Sequence, residues 1–209
     1  MKVAVVCANG RVGTLVVKEA VERNLDVTAV VRRENKTIAQ NVMQKDLFDL
    51  TAADLEGFDV VVDAFGAWAE EELSNHSKSL KHLCDLLSGK RTRLLIVGGA
   101  GSLYVNPEHT AVVSDGVDFP PQFLPLAKAQ GKALAELRER NDVQWTFISP
   151  AADFQAEGER TGEYILAGEE LTLNSRGESI VSYADYAIAM VDEITEGNHI
   201  QQRISVVGK

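Results

Sequence analysis

The stretch Val3-Ala4-Val5-Val6-Cys7-Ala8-Asn9-Gly10-Arg11-Val12-Gly13 decides the fold. Val3 to Cys7 is a continuous apolar run, the signature of a strand buried on both faces of a parallel sheet. From Arg11 to about Arg23, Val12, Leu15, Val16 and Ala20 recur at helical spacing with Lys18, Glu19 and Glu22 on the other faces, which predicts an amphipathic helix. Gly10 and Gly13 fill the second and third positions of a GxxGxxG turn between the two. In such a turn a residue without a side chain lets the backbone approach a pyrophosphate, and the last glycine lets helix and strand pack closely. The helix then offers unpaired N–H groups and a positive dipole end to the phosphates. The motif is weak in isolation and gains weight from joining the first strand to the first helix. Asn9, Gly10, Arg11, Val12 and Gly13 are therefore the first candidate dinucleotide contacts. Cys7 replaces the first glycine, so a side chain must fit there and a negative φ is expected. A thiol near a helix N-terminus can be acidified; packing as a small hydrophobe is the favoured reading.

The next apolar run, Leu25 to Val31, ends in Val31-Arg32-Arg33, where an NAD site would place an Asp or Glu on the ribose hydroxyls. Arginine suits a 2′-phosphate, so NADP(H) is expected over NAD(H), with Arg32 the main clamp and Arg33 a second. The competing reading is a solvated basic pair partly neutralised by Glu34.

Further strands are expected at Val42 to Gln44, Phe58 to Phe65, Arg93 to Val97, Gln144 to Ile148, Tyr164 to Ala167, Ser179 to Val181 and Arg203 to Val207. Helical stripes run through Leu73, Leu80, Leu83 and Leu87 up to Gly89, from about Leu126 to Arg140, and from Tyr183 to Thr195. Strands alternating with helices predict an α/β, doubly wound, mostly parallel Rossmann sheet with helices on both faces. No linker divides the chain, so residues 1–209 read as one NAD(P)-binding domain, with about 150–182 forming a small substrate-side lobe. Tyr104 to Phe123 shows no period and reads as a loop of about twenty residues, a length that tends to be functional or disordered.

The formal net charge of −10 argues against nucleic acid as a partner. No apolar run approaches the length of a membrane span, and Met1 opens no recognisable secretory signal, so the expected location is the cytoplasm. Two cysteines are too few for a disulfide framework. The four histidines lack metal-site spacing and read as solvated or capping residues, and no Gly-x-Ser-x-Gly elbow is present. No metal is expected.

Beyond the N-terminal turn, the chain carries Val-Arg after the second strand, Lys45-Asp46-Leu47-Phe48-Asp49 after the third and Asp63-Ala64-Phe65-Gly66-Ala67 after the fourth. Val97-Gly98-Gly99-Ala100-Gly101-Ser102-Leu103 follows the fifth, with Ser149-Pro150 and Tyr183-Ala184-Asp185-Tyr186-Ala187 later. This series resembles the atypical short-chain dehydrogenase/reductases of the NADH-flavin reductase type over nearly the whole chain, and more distantly the biliverdin reductase B group. The resemblance implies that Asp46 and Leu47 border the adenine and that Phe65, Gly66 and Ala67 lie along the pyrophosphate and ribose. For Asp46 a solvated carboxylate or helix cap, and for Phe65 an ordinary core aromatic, are the competing readings.

No Tyr-x-x-x-Lys pair occurs: Lys132 has Lys128 where the Tyr would stand, and Tyr104 has Glu108 four residues on. A carbonyl reductase or epimerase relying on that pair is disfavoured. Flavin reduction tolerates the absence, because nicotinamide can pass hydride directly to a planar acceptor. The expected function is an NAD(P)H-dependent reductase with a flavin or similar planar molecule as substrate. Its acceptor is expected beside Gly98 and Gly99 of the cofactor site, near Trp68, Ser102, Tyr104, Pro150, Ala151 and Phe154. Ser102, Tyr104 and Lys132 are the catalytic candidates, against turn, packing and solvated-face readings. The alternative is a non-catalytic NADP(H)-binding redox sensor; a homo-oligomer is compatible with either.

Overall fold

Strand β1 (Lys2–Val6) carries four consecutive buried residues, Val3 to Val6, because the sheet is covered on both faces. In the computed structural model, which describes residues 1–209, β1 is flanked by β2 (Asp26–Val31) and β4 (Val60–Asp63). The remaining strands are β3 (Asn41–Gln44), β5 (Arg93–Val97), β6 (Gln144–Pro150), β7 (Asp153–Gln155), β8 (Tyr164–Ala167), β9 (Ile180–Ser182) and β10 (Gln202–Gly208). The main sheet runs β3-β2-β1-β4-β5-β6-β10-β8, parallel throughout except for β8, which closes the edge antiparallel to β10. This is the expected doubly wound Rossmann order, and the chain reverses direction across the sheet between β1 and β4. Ligands of open α/β sheets bind at that switch point, beyond the strand C-termini. No helix is long and apolar enough to cross a membrane.

Helices α1 (Arg11–Glu22) and α4 (Tyr183–Glu196) cover one face, sharing a core with Val3, Val5 and Ile204. Helices α2 (Asn75–Leu87) and α3 (Leu124–Arg138) cover the other, around Ala4, Val6, Leu94 and Phe147. Helix α2 is followed by Gly89 at φ 69°, the left-handed residue that its position predicts. The Ser182 hydroxyl caps α4 by accepting from the Asp185 amide, 3.0 Å. The buried Asp185 carboxylate in turn accepts from the Thr161 hydroxyl, 2.7 Å, and the Gly162 amide, 2.9 Å, fastening the 150–182 stretch onto that helix.

Tyr104 to Phe123 is a loop, as expected, and an internally hydrogen-bonded one: Tyr104 bridges Val112, Val113 donates to the Leu103 carbonyl at 2.9 Å, and single 3₁₀ turns form at Val113–Asp115 and Pro121–Phe123. Its local polar groups, chiefly the Asn106 carboxamide bound to Thr110 and Ala111, replace the periodic signal that pattern reading needs. A short strand, β7, also escapes periodicity; it pairs with β9 in a separate two-stranded sheet.

Candidate functional site

The turn after β1 is built around Cys7, whose φ is +59° and not the expected negative value. The cause is a tight turn in which the Gly10 amide donates to the Cys7 carbonyl at 2.9 Å, placing Cys7 where a glycine would be unstrained. Its side chain packs against the α2-side core. Burial, reinforced by the Asp63 carboxylate, pushes the thiol up to about 12, so it is a packing group and not an activated nucleophile.

Gly10 forms the N-cap of α1, where no side chain caps the helix and no acidic residue stands in the first turn. The amides of Arg11, Val12 and Gly13 thus face the switch point with the dipole's positive end behind them. Gly13 is buried against the strand: a β-carbon there would lie 2.8 Å from the Cys7 carbonyl oxygen and 3.0 Å from the Ala8 Cα. The Asn9 carboxamide is spent locally, donating to the Glu34 carbonyl (2.9 Å) and accepting from the Lys36 amide (2.8 Å). It therefore ties the loop carrying Arg32 and Arg33 to the turn.

Arg32 is exposed over 77% of its side chain, and its Nε lies 3.7 Å from an Asp46 carboxylate oxygen. The other Asp46 oxygen accepts from the Phe48 amide at 2.9 Å, capping the 3₁₀ turn Leu47–Asp49. Asp46 thus caps that turn, and Leu47 buries its side chain in the core. Arg33 is exposed beside it.

After β4, residues 64–68 form an irregular strip at the switch point. The buried Asp63 carboxylate accepts from the Phe65 amide at 3.0 Å, and the His76 imidazole Nε2 meets the Ala67 carbonyl at 3.0 Å. Phe65 stands edge-on to His76, ring centroids 5.4 Å apart. Gly66 is open: the nearest atom to an added β-carbon would be Trp68 Nε1 at 4.0 Å. His76 corrects the reading of the histidines as solvated or capping groups, since it is buried in the first turn of α2. The signal was present in its position four residues before Leu80 on the apolar stripe.

Asp63 has no cationic partner, and burial raises its carboxyl to about 6. A carboxyl whose native pKa lies above its unfolded value holds its proton longer in the folded chain, so folding loses stability as pH rises from about 4 to 6. Asp63→Asn keeps an oxygen for the Phe65 amide and removes the charge. Relative to wild type it should gain about 2 kcal/mol between pH 4.5 and 7.5, read from urea midpoints at the two values. An equal difference at both pH values would contradict it.

Gly98 and Gly99 follow β5. A β-carbon on Gly98 would sit 2.3 Å from the Phe147 ring, and one on Gly99 2.1 Å from Gln130 Oε1, so this wall can approach its neighbours only as bare backbone. Among the acceptor-side candidates, Trp68 is 69% exposed and meets Phe123 edge-on at 6.3 Å. Ser102 Oγ accepts from Arg203 Nη1 at 3.3 Å. The Tyr104 ring has the Arg203 guanidinium 5.5 Å from its centre and the His109 ring stacked on it at 4.1 Å. Pro150 and Ala151 are buried at the end of β6, and Phe154 packs on Tyr183 and Tyr186. Lys132 points outward, paired with Glu136 at 3.6 Å, and is not positioned as a proton donor by any partner near Tyr104 or Ser102. No cluster of His, Cys, Asp or Glu could hold a metal ion.

The chain is similar to several known proteins over its whole length. A family model described as NAD(P)H-binding matches residues 7–196. A solved structure from Streptococcus pneumoniae TIGR4, described as a "putative NADH-flavin reductase", is 54% identical over the whole of both chains with a TM-score of 0.98. An uncharacterized protein of Bacillus subtilis, YwnB, is 42% identical over 100% of this chain and 99% of its own. A "putative exported protein" of Burkholderia pseudomallei is 34% identical over 99% of each chain, TM-score 0.87. With its glycine turn, its uncapped first helix and a family match spanning most of its length, the chain belongs to the NAD(P)H-binding family.

Proposed function

We propose that the protein is an NAD(P)H-dependent oxidoreductase that reduces a flavin or a similar planar acceptor. The observation carrying this reading is the juxtaposition, at one switch point, of the uncapped N-terminus of α1, the Phe65–Ala67 strip and the bare Gly98–Gly99 wall. The likeness to the S. pneumoniae protein supports the flavin acceptor. Reduced nicotinamide, when bound, supplies the hydride. The chain's own contribution is orientation: the amides of Arg11 to Gly13 receive the pyrophosphate, the Phe65–Ala67 strip seats the ribose, and Gly98 and Gly99 admit the ring. Trp68, Ser102, Tyr104 and the Pro150–Phe154 segment border the acceptor. Without a Tyr-x-x-x-Lys pair, the site holds no built proton donor of the carbonyl-reductase kind, which favours an acceptor that exchanges protons with solvent.

Steady-state oxidation of NADPH and of NADH with FMN, riboflavin and a quinone tests the proposal. Turnover with at least one flavin is expected; tight dinucleotide binding without turnover on any acceptor would instead identify a redox sensor. Preference for NADP(H) rests on Arg32, whose only ionic partner is Asp46 at the long distance of 3.7 Å, leaving the guanidinium available to a 2′-phosphate. Arg32→Ala should weaken NADPH binding about tenfold while changing NADH affinity less than about twofold, from the loss of one charge-assisted contact. An unchanged NADPH to NADH ratio would remove Arg32 from the site.

A further inference from the structure

The buried residues of α2 fall at 76, 79, 80, 83, 84 and 87, a single helical stripe. Leucines and Cys84 hold most of it, but its N-terminal end is polar: His76 and Ser79. An imidazole on a buried stripe costs desolvation unless it is hydrogen-bonded. His76 is bonded, through Nε2 to the Ala67 carbonyl at 3.0 Å. Since a carbonyl only accepts, the ring carries its proton on Nε2, and burial keeps the pKa below the ordinary histidine value, favouring the neutral ring.

The other end of the same strip is held from below as well, by Asp63 on the Phe65 amide at 3.0 Å. Between the two anchors the backbone has no sheet or helix partner of its own, and the Phe65 ring rests on the imidazole. Gly66 is the exposed residue of the strip, with open space where a β-carbon would stand, while Phe65 is half-buried and Ala67 is buried. Asp63, Phe65, His76, Ser79, Gln130 and Gly98 line one partly open pocket of about 20 Å³, so the strip and the Gly98 wall border the same space.

We propose that His76 is a positioning residue for the dinucleotide: by holding the Ala67 carbonyl it fixes the height and path of the Phe65–Ala67 strip on which NAD(P)H is seated. This rests on the reading of that strip as part of the cofactor site. His76 touches neither cofactor nor acceptor; it acts through the backbone of Ala67.

The test measures NADPH affinity by titration, KM for NADPH and for FMN, and thermal unfolding of the full chain for wild type, His76→Leu, His76→Gln and His76→Asn. Gln carries an N–H to roughly the reach of Nε2, whereas Asn is too short. His76→Leu and His76→Asn should raise the NADPH Kd about tenfold, as expected when a buried carbonyl loses its donor, with the FMN KM unchanged. His76→Gln should stay within about threefold of wild type, because it restores the donor. NADPH affinity equal to wild type in His76→Leu, even with a lowered Tm, would overturn the proposal and leave His76 a purely structural residue. Should that variant not fold, equal affinities for the Gln and Asn variants would overturn it. Failure of the wild-type chain to bind NADPH or NADH would instead bring down the cofactor reading, and this inference with it.

Discussion

Replacing Gly13 by valine is expected to abolish measurable dinucleotide binding, a loss of at least about a hundredfold, because the change strikes the backbone that would hold the phosphates. The β-carbon would lie 2.8 Å from the Cys7 carbonyl oxygen, 3.0 Å from the Ala8 Cα and 3.1 Å from the Ala8 carbonyl oxygen. All three are main-chain atoms, so no rotamer change relieves the contact. Either α1 moves off β1, carrying the amides of Arg11 to Gly13 away from the switch point, or the Cys7–Gly10 turn opens. Both outcomes remove the phosphate cradle. The valine γ-carbons add overpacking in a core that already holds Val16 and Val17, so unfolding should also come earlier. Gly10→Ala is the control: its β-carbon would lie 3.2 Å from the Cys7 oxygen, and its φ of −67° is open to any residue. Its effect should be several-fold smaller. A folded Gly13→Val protein that titrates with NADPH like wild type would show that the glycine turn is not the phosphate site.

Replacing Arg93 by methionine is expected to cost about 3–5 kcal/mol of stability, the range found when one partner of a buried ion pair is removed. Arg93 stands at the start of β5, at the end of the sheet opposite the switch point. Its guanidinium donates to the Glu193 carboxylate at 2.6 Å and to the Glu193 and Ile194 carbonyls at 2.9 and 3.2 Å, closing the last turn of α4. The side chains are 12% and 4% exposed. Without the arginine, the Glu193 charge is left buried with only His199 against it, 2.6 Å away, and the helix carbonyls lose their donor. For a chain of this size the loss corresponds to a fall in Tm of roughly 10 °C. Adding Glu193→Leu to the first change should recover much of it, since the uncompensated charge goes too. NADPH affinity should be untouched by either change. A Tm unchanged in Arg93→Met would show that the Glu193 charge is not left uncompensated by the loss of the guanidinium.

The order of the elements was legible because each depends on its own residues. An apolar run such as Val3–Val6 needs cover on both sides, and the stripe of α1 needs one apolar face, whatever the rest of the chain does. The glycine turn was legible for the same reason, being a strand end and a helix start within eleven residues. Where the reading missed, the cause was non-local. The positive φ of Cys7 is the exception: it follows from the local turn in which the Gly10 amide meets the Cys7 carbonyl, a feature that apolar patterning does not report. The Asn9 carboxamide finds its partners, Glu34 and Lys36, in a loop twenty-five and more residues away, which no local pattern reports.

The sequence by itself determined the α/β class, the doubly wound sheet and the place where a dinucleotide would enter, since hydrophobic period and glycine spacing are local properties. Only the tertiary structure decided which polar side chains are consumed within the protein and which are left for a ligand. Asp63 and His76 are fifty-six and sixty-nine positions from Cys7 in the chain, yet both lie beneath the same switch point. Their protonation and hydrogen bonds are set by burial, which only the packed fold supplies.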